Sequence, residues 1–192
     1  MSDRVKNLTS EILSDAWYTL YKYTFEYKTN DGQWQTQTRE AYDRGNGATI
    51  LLYNAETSEI LLTKQFRLPT YLNKNKSGLL IESCAGLLEG DAPEVCIKKE
   101  IREELGFEIS KVKKIFECYM SPGAVTEIIH FFVGSYRPDM RVNEGGGSDS
   151  EQEDIEVLTL DFDQAYAMIA TGEIKDAKTI LLLQYAKIHG LV

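Results

Sequence analysis

Basic residues are in short supply: 21 lysines and arginines face 30 aspartates and glutamates, a formal charge of −9. Holding a nucleic-acid backbone needs a broad basic footprint, so no nucleic-acid partner is expected. A small anionic ligand stays possible, provided divalent cations neutralise the site locally. Histidine is scarcer still, with only His130 and His189. A histidine-rich zinc site is out of reach, and a hydrolytic triad would have to use one of these two. The three cysteines, Cys84, Cys96 and Cys118, are odd in number, lack metal-ligand spacing and sit in apolar segments. Buried free thiols in a reducing compartment account for them. No stretch approaches the roughly 18 consecutive apolar residues of a membrane span, and MSDRVKNLTSEIL has no apolar signal core. The expectation is a cytoplasmic protein with no membrane partner.

What is present suits one folded domain with a small appendage: 192 residues, 43% of them hydrophobic. Residues 17–27 (WYTLYKYTFEY) and 34–43 (WQTQTREAYD) are rich in aromatics and threonine and flank TNDGQ. This predicts an antiparallel hairpin with an Asp-Gly turn. Glycines 45 and 47 mark a break, giving an N-terminal β region over 1–44 and a second body over 45–192. There the apolar runs ATILLYN, EILLTKQFRL, GLLIESCAGL, VKKIFECYM, EIIHFFVGSY and IEVLTLDF predict strands around one central helix. Helices over 161–171 and about 177–188 follow, so the fold class is α+β with a mixed or antiparallel sheet. Phe131 and Phe132 must face opposite sides of their strand. Leu181, Leu182 and Leu183 overfill one helical face, which fits either burial against a partner or a large internal core.

Between Arg137 and Asp154, PDMRVNEGGGSDSEQED interrupts the pattern. Three glycines and the acids Asp149, Glu151, Glu153 and Asp154 build no core. The stretch reads either as a disordered acidic loop or as a lid that orders around metal and substrate.

The central helix begins at DAPE. Asp91 is the expected cap, Pro93 falls in the first turn, and Gly106 closes the helix. At 100° per residue Ile97, Ile101 and Leu105 form an apolar stripe. Glu104 lies beside that stripe and Glu100 one turn before it, while Glu103 falls further round, within reach of Lys99. Like charges at this spacing cost a few tenths of a kcal/mol even on an exposed helix, and more near a core where water screens less. A solvated acidic face is one explanation for them. The other is a set of oxygen ligands for a hard divalent cation such as Mg²⁺.

The stretch AGLLEGDAPEVCIKKEIREELGF resembles the signature of the Nudix family. Residues 99–107 match its second half, with Lys99 in place of an arginine. The first half departs from the pattern: Ala85 stands where a glycine is expected, Asp91 at the isolated acid, and Gly86 is one place late. Together with REAYDRGNGATILL, KQFR, ESCAGLLE, CYMSPGAVTE and GEIKDAKT, nearly the whole chain resembles the GDP-mannose pyrophosphatase branch, near the ADP-ribose pyrophosphatases. The resemblance implies an α/β/α sandwich with a mixed sheet and an N-terminal β domain packed or exchanged across a homodimer with shared active sites. It implies Mg²⁺-dependent cleavage of a nucleotide sugar, yielding GMP and mannose 1-phosphate from GDP-mannose. Two or three ions per site are expected, with Mn²⁺ as a substitute. An ADP-ribose or other ADP-sugar hydrolase with the same metal cluster is the alternative.

Residue by residue, the resemblance assigns metal ligation to the Ala85 carbonyl and the carboxylates of Glu100, Glu104 and Glu153. Glu153 is also the carboxylate that takes the proton from water, although composition alone does not separate it from Asp149, Glu151 or Asp154. Glu103 becomes a group that orients a ligand or a water. Substrate contacts fall to Trp17, Arg39, Glu40, Arg67, Ala85, Gly86, Glu127, Gln152 and Lys178. Among these, Trp17 would stack on the base and Arg67 would clamp phosphate oxygens through its planar fork.

Overall fold

Threonine and aromatic alternation builds the first sheet. In the computed structural model, which describes residues 3–148 and 152–192, strands β2 (Thr19–Lys28) and β3 (Trp34–Asp43) pair antiparallel without a slip from Thr19↔Asp43 to Lys28↔Trp34. The turn between them closes through Thr29 N–H to Gln33 O (2.8 Å) and Gly32 N–H to Thr29 O (3.0 Å). Gly32 takes φ 84°, a value that favours glycine. A further strand, β1 (Val5–Asp15), pairs antiparallel with β2. Its sequence hides it: the register shifts between Lys6 and Thr9 and again between Ile12 and Ser14, so no clean period of two survives. Every residue of β1 is exposed.

Two compact units result. The first comprises the residues up to Asn46 together with Tyr119–Ile128. That later segment is bonded to β3: Tyr42 N–H donates to Ala124 O (2.8 Å) and Thr126 Oγ1 to Asp43 Oδ1 (3.0 Å). The second unit comprises Gly47–Cys118 and Ile129–Val192.

The second unit's sheet contains β4 (Gly47–Asn54), β5 (Glu59–Phe66), β6 (Leu79–Glu82), β7 (Cys84–Leu87), β8 (Lys113–Tyr119), β9 (Ile128–Ser135) and β10 (Glu156–Asp161). Its order is β10-β5-β4-β9-β8, with β6 on β5 and β7 on β4. The β4–β9 pair is parallel, whereas β4–β5, β4–β7, β5–β6 and β5–β10 are antiparallel, so the sheet is mixed. A short helix, α1 (Leu68–Leu72), follows β5.

Strand alternation assigns the two faces. Ala48, Ile50, Leu52 and Phe132 share a core with Ile97, Ile101 and Leu105 of the central helix. Each of those three helical side chains is fully buried and contributes about 1.5–3 kcal/mol over an exposed position. Phe131 faces the other way and stacks at 4.7 Å on Phe116, which meets Tyr185 of helix α4 (Ala177–His189) at 6.1 Å. Helices thus cover both faces of the mixed sheet. Within the leucine triplet, Leu182 and Leu183 are fully buried while Leu181 keeps 39% of its surface exposed. Helix α3 (Phe162–Thr171) is capped by Asp161, which accepts from Gln164 N–H at 2.9 Å, and ends at Gly172.

Candidate active site

The central helix, α2 (Pro93–Glu100), runs directly into a π-helical turn at Ile101–Leu105, and Gly106 ends it at φ 81°. Its cap differs from the expected one. Pro93 disfavours helical backbone in the residue before it, so Ala92 is extended at ψ 142° and becomes the N-cap. Asp91 caps nothing with its side chain; its N–H donates to Leu88 O at 2.7 Å. The π turn, too, departs from the regular 100° spacing, and such turns recur at functional positions. Glu104 lies in it with 2% of its surface exposed, inside the core boundary rather than on it.

Glu104 accepts a hydrogen bond from Ala85 N–H at 3.2 Å, and Cys84 is its neighbour. Burial pushes its carboxyl up to about 8; the neighbouring Cys84 thiol opposes this, and the charges of Glu100 and Glu153 add to it. Glu100 is half-buried against Gly86, where a Cβ would collide with the carboxylate. The late glycine of the signature is therefore the position that must stay bare, and Ala85 is tolerated one place earlier. Glu103 is half-exposed, with Lys99 Nζ 3.8 Å away, as the spacing predicted.

Glycines 145–147 close onto the end of the helix. Gly146 N–H donates to Glu104 O (2.9 Å) and Gly147 N–H to Glu103 O (3.1 Å), so the loop satisfies carbonyls that the end of the helix leaves open. A Cβ on Gly145 would strike the Glu104 carbonyl. Glu153 then returns to the same loop, its Oε2 accepting from Ser148 N–H at 3.1 Å. Asp154 and Gln152 are exposed. The other two candidate acids, Asp149 and Glu151, lie outside the described residues. Among the described residues no three acids, cysteines or histidines stand ready as a ligand cluster. The donor set nevertheless fits a hard divalent cation: all oxygen, with one carboxylate buried against its electrostatic preference and two more acting on it.

A cationic pair belongs to the same unit. Arg67 follows β5 and its Nε donates to Glu82 Oε2 at 2.6 Å. Lys178, in the first turn of α4, reaches Glu82 Oε1 at 3.2 Å and Asp176 Oδ1 at 2.8 Å. Burial works against both cations, but the neighbouring carboxylates more than offset it, so both are held protonated beyond their ordinary range. Glu104 is among the carboxylates that act on Arg67. Glu82 itself escaped the sequence reading; it is the buried residue at the end of β6.

The remaining candidates occupy the first unit. Trp17 precedes β2 by two residues, is 79% exposed and meets Tyr18 edge-on at 6.4 Å. Arg39 and Glu40, on β3, line an open depression of about 690 Å³ with Tyr119 and the 122–126 turn. Arg39 also donates to Thr38 O at 2.7 Å. Glu127 is mostly buried and lies 3.5 Å from Arg44 Nε.

Comparison with known proteins matches two stretches of the chain, and the second includes the 119–128 segment that the structure groups with the first unit. Residues 4–42 match the GDP-mannose pyrophosphatase NudK N-terminal domain, and residues 43–183 match the NUDIX domain. A protein of Yersinia enterocolitica named GDP-mannose pyrophosphatase is 55% identical over 192 residues, covering 100% of both chains. One of the same name from Yersinia pestis is 54% identical over 189 residues, covering 98% of this chain and 94% of its own. A third, from Shigella dysenteriae, is 53% identical over the full length of both. The chain belongs to the Nudix hydrolase family and carries the NudK-type N-terminal domain.

Proposed function

We propose that this protein hydrolyses the pyrophosphate bond of GDP-mannose, releasing GMP and mannose 1-phosphate. The observation that carries the reading is the buried Glu104 carboxylate, set beside Glu100 and Glu153 in a chain over half identical to proteins named for that reaction. Glu100, Glu104, Glu153 and the Ala85 carbonyl would hold the metal, Mg²⁺ in two or three copies, with Mn²⁺ able to replace it. A divalent cation held there would supply polarisation of the diphosphate and offset the charge that develops on it.

The chain's own residues divide the remaining work. Arg67 and Lys178 supply positive charge and donors to the phosphates and sugar. Glu153 accepts the proton of the attacking water, and Glu103, steadied by Lys99, orients the ligand set. Gly86 lets the substrate and Glu100 approach the backbone closely, and Gln152 contacts the substrate from the loop. Trp17 stacks on the base, with Arg39, Glu40 and Glu127 reading the nucleoside and sugar. Arg39 and Glu40 come from the second copy of a homodimer. The uncovered β1 supports that arrangement, since Leu8 and Ile12 are each more than half exposed. No helix among the described residues is long and apolar enough to cross a membrane, and the three cysteines are free, which supports a cytoplasmic setting.

Hydrolysis of GDP-mannose and ADP-ribose, each over a concentration series with Mg²⁺, tests the substrate assignment. A higher kcat/KM for GDP-mannose is expected, and a higher value for ADP-ribose would overturn it.

A further inference from the structure

Glu82 touches neither the carboxylate cluster nor open solvent: its side chain is 4% exposed at the end of β6. Its two oxygens are divided between two cations that arrive from distant parts of the chain. Oε2 takes Arg67 Nε at 2.6 Å and Oε1 takes Lys178 Nζ at 3.2 Å. Arg67 directly follows β5 and Lys178 lies at the start of α4. Without an acid between them the two would repel in a poorly screened site. With one oxygen for each, their separation is set by the width of a carboxylate.

The next three residues connect this pair to the acidic cluster. Ser83 N–H donates to Thr179 Oγ1 at 2.6 Å, beside Lys178, and Ser83 Oγ shares a 2.8 Å bond with Thr49. Cys84 O accepts from Thr49 Oγ1 at 3.0 Å. Ala85 N–H donates to Glu104 at 3.2 Å. Thr179 is itself fixed by Asp176, which accepts from its N–H at 2.9 Å and also holds Lys178. Four consecutive residues, Glu82 to Ala85, thus hold the cations at one end and the buried carboxylate at the other.

We propose that Glu82 is a positioning residue for diphosphate recognition, holding Arg67 and Lys178 at the spacing of a substrate diphosphate beside the metal cluster. The inference deepens the proposed hydrolase reading and rests on it. Glu82 pre-pays the ordering of two long side chains that binding would otherwise have to supply. Its role is therefore in binding, and the chemistry proceeds at the carboxylates.

Kinetics and binding of Glu82→Gln test this in the full-length protein. KM for GDP-mannose is expected to rise about tenfold or more, with kcat changed far less. Mn²⁺ affinity, measured by titration without substrate, should stay at the parent value. Adding Glu82→Gln to an Arg67→Ala/Lys178→Ala protein should raise KM no further, because nothing is left to position. Should Glu82→Gln fail to fold, Glu82→Asp, which keeps the charge but shortens the span, is measured the same way and should also raise KM. An unchanged KM, or a multiplicative loss in the double-variant background, would overturn the role. Binding of GDP with Ca²⁺ separates this failure from failure of the substrate assignment. If the parent prefers another nucleotide sugar, Glu82→Gln should still weaken GDP, and undiminished GDP binding would overturn the Glu82 role alone.

Discussion

Gly86 and the Glu100 carboxylate occupy adjoining space: a Cβ on Gly86 would fall on the Glu100 carboxyl group. The collision is with the far end of a flexible side chain, so the fold can absorb it while the carboxylate cannot keep its place. Gly86→Ala is therefore expected to change the unfolding midpoint little. It should weaken Mn²⁺ or Mg²⁺ binding by about 10–100-fold, the range seen when a ligand's support is disturbed. Calorimetric titration beside a thermal melt reads both quantities, and an unaltered metal affinity would show that Glu100 does not need this position.

Glu104 makes the metal-free protein sensitive to pH. Its carboxyl is pushed up to about 8 from an ordinary 4.5. Between those values the folded chain holds a proton that the unfolded chain has released. Stability from this group is therefore complete below about pH 4.5 and is lost as pH rises through about 8. Chelator-treated parent should lose on the order of a few kcal/mol relative to Glu104→Gln across that window. Denaturant unfolding at several pH values checks it. A saturating divalent cation should flatten the difference in slope, since metal binding requires the ionised carboxylate.

The leucine triplet gives a test of packing. Leu182 is fully buried between α4 and the sheet, and Leu182→Ala should cost about 2–5 kcal/mol. Leu181 is partly exposed, and Leu181→Ala should stay within about 0.5 kcal/mol. Equal losses at the two positions, measured by denaturant titration, would mean that Leu181 is covered in solution.

Much of this architecture is legible in the residues because local and tertiary forces agree. Alternation places Phe131 and Phe132 on opposite faces, and the structure puts them under different helices. The stripe of Ile97, Ile101 and Leu105 is buried as its spacing requires. Strand β1 was not legible, since its bulges break the period and Asn7 adopts φ 52° there. The cap at Ala92 was misjudged because the constraint of Pro93 outweighs the capping preference of Asp91. The π turn leaves no signature in the sequence, yet it carries Glu104 inward. Composition leaves glycines 145–147 open between a disordered loop and an ordering lid, and in the structure they are the residues that fit against the Glu103 and Glu104 carbonyls. Glu82 was missed because its partners, Arg67 and Lys178, are separated from it by 15 and 96 positions.

The central claim is that Glu104, buried beside Glu100, exists to hold a divalent cation on a nucleotide diphosphate sugar. The most direct measurement is Mg²⁺-dependent release of GMP from GDP-mannose by the parent and by Glu104→Gln, over matched metal concentrations. The account predicts turnover in the parent that vanishes with chelator. It predicts a loss of at least about a hundredfold in the variant, because a charged ligand has become a neutral one. Equal turnover and equal Mg²⁺ dependence in the two proteins would contradict it.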